Sequence, residues 1–420
     1  MTTTKNNEHK KLNFSSEREQ NQACLNSAEH EKNQGRKVLN VPNLRFPEFQ
    51  GKWEYFLIND VCSEFKSGKN IKADSVFECG EYPVYGGNGL RGYTSSYNHE
   101  GSYVLIGRQG ALCGNVRSVY GKTYITEHAI AVAGNEKSNT SFLHYLFLKM
   151  NLGQYSDQSA QPGLAVNKLL KLKVALPIIS EQTKIAKLLS LLDERISTQS
   201  KIIDKLQSLI KGLEDNLLDN PLWEKTYLRS FMQFFSTNSL SWEQLSYKEC
   251  AIRNLHYGLI HGFQTRGINS ASLPMIKNEA IPKQYTLCQV GDVAFADASE
   301  DTGEIAKSVE FVDTIEGDTI CGLHTIHGRD IKNRTVVGFK GFAFNSRYFH
   351  NQIKRLAQGT KVFSITANNL SSCYVYLPDL DTQTVIVRLL KSYEEQLIID
   401  RMIFKQYEKQ KQYLLRQMFI

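Results

Sequence analysis

Apolar residues recur every three or four positions along one long stretch, Ser180 to Leu217. Ile185, Leu189, Leu192, Ile196, Gln199, Ile203, Leu206, Ile210, Leu213 and Leu217 step by 4, 3, 4, 3 without a slip. That is the seam of a coiled-coil helix. The pattern returns 201 residues later as Ile386, Leu390, Tyr393, Leu397, Asp400, Phe404, Tyr407, Lys411, Leu414 and Met418. Even the polar interruption is kept, Gln199 being answered by Asp400. The approaches match too: Leu176-Pro177 and Leu377-Pro378, then Gln182 and Gln383. Two unrelated amphipathic helices would not share ten seam positions, a proline and a glutamine at one offset. The repeat predicts a duplicated unit, a globular part followed by a long helix, with the two helices packed on each other. At 1.5 Å per residue each rod is about 50 Å long, enough to hold two globular parts apart.

In chain order, residues 1–40 are rich in Asn, Glu, Lys, Gln and Ser and predict a disordered polar arm. The first globular domain is expected over 41–178. It shows short strand patterns at Tyr82–Tyr85, Tyr103–Ile106, Tyr124-Ile125 and Ala129–Val132, a helix over Ser141–Met150, and a break at Gln161-Pro162-Gly163. The first long helix is expected over 179–220, ending before Pro221, which cannot continue a helix. A connector to Asn238 and a second globular domain fill 221–378, and the second long helix takes 379–420. Leu240-Ser241-Trp242-Glu243 is read as the echo of Gly51-Lys52-Trp53-Glu54. Gly68 is paired with Gly258, Gly101 with Gly291, His128 with His324, and Asn167 and Leu169 with Asn368 and Leu370. The rods match closely while the globular parts share only landmarks. The rods therefore do a common task, and the globular parts bind different things.

The 420 residues, 41% hydrophobic, suffice for two domains and connecting helices. The net charge of +7 is a mild bias toward an acidic partner such as nucleic acid. Eight cysteines without a C-x-x-C pair predict reduced, mostly buried thiols. There is no apolar leader and no run of 18 apolar residues, so neither export nor a membrane span is expected and the location is cytoplasmic.

The candidate chemistry is that of binding. Gly87-Asn88-Gly89-Leu90-Arg91-Gly92 fits G-x-G-x-x-G, but Tyr93-Thr94-Ser95-Ser96 cannot open the helix that a dinucleotide site requires. A tight turn between strands remains, or a turn that also touches DNA through Asn88 and Arg91 with Tyr85 and Tyr93 beside them. Arg108 and Gln109 in Gly107-Arg108-Gln109-Gly110 are the side-chain types that pair with guanine and adenine edges. Gln161, at the break before the rod, is a further candidate. In the second half the comparable candidates are His261, Gln264 and Arg266, then Lys361 in Gly359-Thr360-Lys361; a solvated turn is the alternative at each. Cys321-x-x-His324-x-x-His327 resembles half a metal site, but no second half with ligand spacing is visible, so no metal is expected. Glu304-Ile305-Ala306-Lys307 misses the nuclease E-x-K spacing by one residue. Asn220-Pro221-Leu222-Trp223 lacks the second proline of an adenine methyltransferase motif, and no P-loop is present. No catalytic residue is expected.

Several stretches together resemble the specificity subunit of type I restriction-modification systems. Leu44-Arg45-Phe46-Pro47-Glu48-Phe49 with Trp53 is similar to that family's opening. Tyr82-Pro83-Val84-Tyr85-Gly86-Gly87-Asn88-Gly89 resembles one class of target recognition loop. Gly291-Asp292-Val293-Ala294-Phe295-Ala296-Asp297-Ala298-Ser299-Glu300-Asp301, with Gly303 and Lys307, resembles another. Leu-Pro-x-x-x-x-Gln-x-x-Ile before each rod resembles the conserved-region signature. The resemblance covers about residues 41–420. It implies an α+β architecture: two target recognition domains separated by two long antiparallel helices with pseudo-twofold symmetry. It implies that the chain is not an enzyme and binds no cofactor of its own. Each domain would read one half of an asymmetric target in double-stranded DNA. Two modification subunits carrying S-adenosylmethionine, and restriction subunits using ATP and Mg, would supply the chemistry. The polar arm is longer than the family implies.

Overall fold

A computed structural model of the chain describes residues 40–157, 163–248, 251–263, 266–313, 315 and 317–420. The predicted arm before residue 40 lies outside the described residues, as do Gln161, Gln264, Cys24 and Cys250. The chain divides into two compact units, one running to Glu194 and including Lys409–Ile420, the other Arg195–Glu408. Among the described residues no helix is long and apolar enough to cross a membrane.

The first unit starts from Trp53, fully buried against Phe142 and Phe419. Strand β1 (Glu54–Leu57) pairs antiparallel with β8 (Lys173–Leu176), which leads into the first long helix, Ile179–Leu218. A six-stranded sheet runs in the order β2 (Cys62–Ser67), β7 (Ala129–Gly134), β5 (His99–Gly107), β6 (Val116–Ile125), β3 (Tyr82–Gly86), β4 (Gly89–Thr94). The helix Thr140–Met150 packs beside it, one residue longer than the predicted span. Its first turn is capped by Asn139, whose side chain accepts from Phe142 N at 3.1 Å.

The second unit repeats this plan. Strand β9 (Glu224–Tyr227) pairs antiparallel with β21 (Tyr374–Leu377), which leads into the second long helix, Leu380–Gln417. A five-stranded sheet runs β10 (Met232–Phe235), β19 (Thr325–Asp330), β15 (Val293–Ala296), β17 (Ser308–Phe311), β13 (Gly267–Ile268). Its first three strands reproduce the antiparallel β2-β7-β5 arrangement. Inserted into it is a second, four-stranded sheet of β11 (Leu245–Ser246), β14 (Met275–Ile276), β12 (Ile252–Leu255) and β18 (Asp318–Cys321). The strands Ala298–Ser299 and Phe363–Ser364 form a separate pair, β16 with β20.

This topology corrects three sequence echoes. Trp53-Glu54 opens β1, and its counterpart is Trp223-Glu224 opening β9, not Trp242-Glu243. The stretch expected to be a connector up to Asn238 therefore already contains β9 and β10. Gly68 follows β2 and donates its N–H to Ala129 O at 3.1 Å. The matching place after β10 is Thr237, whose hydroxyl donates to Thr325 O at 2.9 Å; Gly258 lies in the helix Tyr257–Gly262. The inserted four-stranded sheet shifts the register between the two copies, and short aligned words cannot detect that. The His128–His324 echo falls on equivalent turns, whereas Gly101 lies within β5 and Gly291 in the turn before β15.

Burial varies along the heptad positions. Ile185, Leu189, Leu192, Ile210, Ile386 and Leu390 are buried. Ile196, Ile203, Leu206, Leu213, Tyr393, Leu397, Phe404, Tyr407 and Leu414 are half-buried. Within each unit the helices run antiparallel. In the first, Asp193 meets Lys411 at 2.5 Å. In the second, Gln199 donates to the Asp400 carboxylate at 2.7 Å, and both side chains are buried. These two residues are each other's repeat counterparts, 201 positions apart. A residue that meets its own counterpart marks where the helices' local twofold relation passes. A polar pair buried in an apolar seam fixes register, because any slip leaves its groups unpaired.

The two matched glutamines explain the signature before each rod. Gln182 donates to Pro177 O at 2.8 Å and Lys137 O at 2.9 Å, and accepts from Asn139 N at 2.8 Å. Gln383 donates to Pro378 O at 2.9 Å and Arg334 O at 3.0 Å, and accepts from Val336 N at 3.0 Å. Both are wholly buried. Each ties the first turn of a rod to the preceding proline and to a loop of its own domain. Changing Gln383 to Ala strands two carbonyls and one N–H and is expected to cost about 2–4 kcal/mol. Urea denaturation checks this, and the same change at Gln182 should cost a similar amount; a loss under about 0.5 kcal/mol at both, the ordinary range for a surface change, would contradict the anchoring role.

Candidate nucleic-acid interface

In the first unit three loops converge at one edge of the six-stranded sheet. Gly87-Asn88 is the two-residue turn of the β3–β4 hairpin, so the glycine motif is a turn and not a dinucleotide loop. A Cβ on Gly87 would stand 2.7 Å from His128 O, so this turn presses on the β6–β7 turn, and only glycine fits. The third loop joins them through Arg108 N, which donates to His128 O at 2.9 Å, while His128 and Gln109 side chains meet at 3.2 Å. Gln109 is also bridged to Gly163. The result is a rigid platform that presents Asn88, Arg91, Gln109 and His128 to solvent, with Arg108 half-buried.

Arg117, on β6, belongs to the same platform: its guanidinium lies over Gly89, 3.1 Å from where a Cβ would be. Sequence reading missed it, since a lone arginine in a strand carries no motif. Tyr85 is less available than its spacing suggests, because it packs on the cluster of Leu105, Val119 and Ile125. Tyr93 is half-buried, with its backbone paired to Phe77. Elsewhere on the unit, Tyr82 and Tyr97 rings lie 5.0 Å apart with Lys122 over Tyr97, and Tyr120 is 86% exposed.

The second unit keeps a histidine at the equivalent turn and surrounds it with different chemistry. His324, at a left-handed φ of 53°, meets Asp297 at 3.0 Å and packs edge-on against Tyr257. Trp242 is stacked 4.5 Å from His256 and remains 43% exposed. Burial, with the neighbouring His324, lowers the His256 pKa to about 4, so it is a neutral ring at pH 7. His261 is held by Glu304 at 3.3 Å, and Glu304 is also paired with Lys307 at 3.0 Å. Lys361 is exposed in the turn before β20. A cavity of about 760 Å³ beside this region is lined by Lys211, Lys307, Arg347, Lys354 and Arg401, and also by the carboxylates of Glu214, Asp215, Glu304 and Glu394.

Arg266 is engaged otherwise. It pairs with Glu214 on the first long helix at 2.7 Å and with Glu394 on the second at 2.5 Å. The Glu214 contact is charge-to-charge, without a directed hydrogen bond. Arg45 plays a similar part in the first unit, meeting the buried Glu181 carboxylate through two bonds of 2.7 Å, with the Trp53 indole at 3.4 Å. Burial pushes the Glu214 and Glu394 carboxyls up, against the pull of Arg266.

The residues from 50 to 208 match the family model described as the type I restriction modification DNA specificity domain. That stretch, from the first globular part into the first long helix, is similar to the specificity domain of type I restriction-modification systems. It is 45% identical over 134 residues to the specificity subunit of the Escherichia coli type I restriction enzyme EcoprrI, covering 31% of this chain and 33% of that protein. Against the type I restriction enzyme MjaVIII specificity subunit of Methanocaldococcus jannaschii it is 25% identical over 405 residues, 89% of this chain and 92% of that one. The match thus spans about a third of the length of the Escherichia coli relative. Among solved structures, the type I restriction-modification system S subunit from M. genitalium has the same fold, with a TM-score of 0.63 at 15% identity over 90% of this chain and 99% of that one. The repeated glutamine anchors sit where each globular part meets its helix.

Removing Arg266 tests the electrostatics of the helix clamp. A carboxyl whose pKa is higher folded than unfolded takes up protons on folding, so stability falls as pH rises through the folded value. Without Arg266 both glutamates rise further. Arg266→Ala is expected to lose about 3 kcal/mol at pH 8 and clearly less at pH 5, because carboxyls raised by burial take up protons as the pH falls. Denaturant midpoints of the two proteins at both pH values check this; an equal loss at both would contradict it.

Proposed function

We propose that the chain reads DNA for a type I restriction-modification complex and performs no catalysis itself. The first recognition domain reads one part of an asymmetric target through the platform of Asn88, Arg91, Arg108, Gln109 and Arg117. The second reads the other part from the turn carrying His324, with Trp242, Tyr257, His261 and Lys361 around it. The single observation that carries the proposal is the contrast between the repeats. Their anchors are the same glutamine making the same three bonds, whereas the histidine turn that each carries is flanked by arginine, asparagine and glutamine in one copy and by aromatic rings and further imidazoles in the other. Duplicated supports with unlike reading edges suit a split target with unlike halves.

Arginine forks match guanine edges, and Asn or Gln match adenine, in the major groove. Flat rings with a neutral imidazole suit contact with base and sugar faces, and the lysines and arginines of the cavity suit phosphates. The long helices set the distance between the two half-sites. They also expose Leu191, Ile202, Leu209, Ile399, Met402 and Tyr413, apolar surface that two modification subunits would cover. Those subunits carry S-adenosylmethionine, and restriction subunits carry ATP and Mg.

Selection from a random duplex library by the chain with its modification subunits tests the reading. A two-part motif with a fixed gap is expected. Arg91→Ala and Arg117→Ala should each relax one part only, by about 1–3 kcal/mol at the affected base. A uniform loss on all sequences would make these phosphate contacts, and binding unaffected by salt between 50 and 200 mM, against the steep fall that phosphate contacts impose, would defeat the DNA-reading proposal.

A further inference from the structure

The half-motif Cys321-x-x-His324-x-x-His327 divides in the folded chain. His324 faces outward to Asp297, while His327 turns into the core and is 1% exposed. There it meets Cys321 on β18 and Cys288 from the segment before β15. The three side chains are buried, and their ligating atoms all lie within 4.8 Å of one another. The two sulfurs are 3.6 Å apart.

Two arrangements compete for a pair of sulfurs this close. The bridge between Leu287 and Ile320 and the bond from Cys288 N to Thr319 O set the register, which makes Cys288 and Cys321 diagonal neighbours on one face. Diagonal neighbours have backbones about 7–8 Å apart, beyond the roughly 7 Å limit for a disulfide. Two thiolates sharing one tetrahedral zinc at bonds of about 2.3 Å stand about 3.8 Å apart, close to the separation seen. The histidine is prepared in the way metal-bound histidines are. Its Nε2 is held at 2.7 Å by Asp292, so a metal would bind at Nδ1, and Asp292 is itself fixed by Arg329 at 2.7 and 2.8 Å. Thr319, on the same face of β18 as Cys321, has a buried hydroxyl without a partner.

We propose that Cys288, Cys321 and His327 form a zinc site in the second recognition domain. On binding, the two thiol protons leave to solvent, and two thiolates with one neutral imidazole take the divalent ion, so the site gains no net charge. The fourth position is open to water. The role is structural: Cys321 lies on the four-stranded sheet and His327 on the five-stranded sheet, so the ion would tie the inserted sheet to the one that the rest of the domain is built on. This also fixes the base of the turn that carries His324.

The full chain, purified reduced, is loaded with Zn²⁺, dialysed against a weak chelator, and its metal measured. About one zinc per chain is expected. It should fall at least about tenfold in Cys288→Ser and in Cys321→Ser and stay unchanged in Cys79→Ser, which removes an exposed thiol. In case the serine variants fail to fold, Co²⁺ added to the unaltered chain decides: thiolate-to-cobalt charge transfer with strong four-coordinate bands supports the site. Zinc retained equally by folded variants, a cobalt spectrum without thiolate bands, or a Cys288–Cys321 disulfide in the purified chain would each overturn it.

Discussion

Each rod of this protein begins from a buried glutamine, and the placement of everything else depends on that contact. A helix of 38 or 40 residues has ends that want partners, and a free first turn would let a recognition domain swivel. Gln182 and Gln383 prevent this by bonding at once to the proline that breaks the strand and to a loop of the domain. Because each glutamine uses its carbonyl and both amide hydrogens, neither Glu nor Leu substitutes for it. Around this contact the β1–β8 and β9–β21 pairs fix the direction in which each rod leaves, Arg45 adds a charged tie at Glu181 beside Gln182, and Arg266 adds one farther along the helices. The rigidity of the support is what allows the loop edges to differ so widely.

Much of this is written plainly in the sequence. A heptad seam depends only on spacing, so the rods, their pairing and the matched glutamines are visible without a structure. The helix over Thr140–Met150 is likewise legible, one residue short at its start. The globular parts are harder. Their strands are short, and the pairing of β2 with β7 or β10 with β19 joins residues 63 to 98 positions apart. The insertion of a whole sheet in the second copy moved Trp223 out of line with Trp53, and the next tryptophan, Trp242, drew the comparison instead.

The candidate site divides in the same way. Asn88, Arg91, Arg108 and Gln109 lie in glycine-rich turns, which sequence marks well. Arg117 reaches them only through strand order, and the Cys288–Cys321–His327 cluster only through packing of two sheets. Arg266 shows the converse. Its neighbourhood in the chain suggested a loop that touches a ligand, yet two buried glutamates claim the guanidinium. Charge in a loop is a signal for binding only until the fold shows which charges are already satisfied.

The account's central claim is that two unlike readers on one matched frame specify a split DNA target. The adenine methylome of a host expressing this chain with its modification subunits tests it most directly. The account predicts a new methylated motif of two unlike parts separated by a fixed unspecified gap. A symmetric or continuous motif, or none beside modification subunits shown to be active with another specificity subunit, would contradict it.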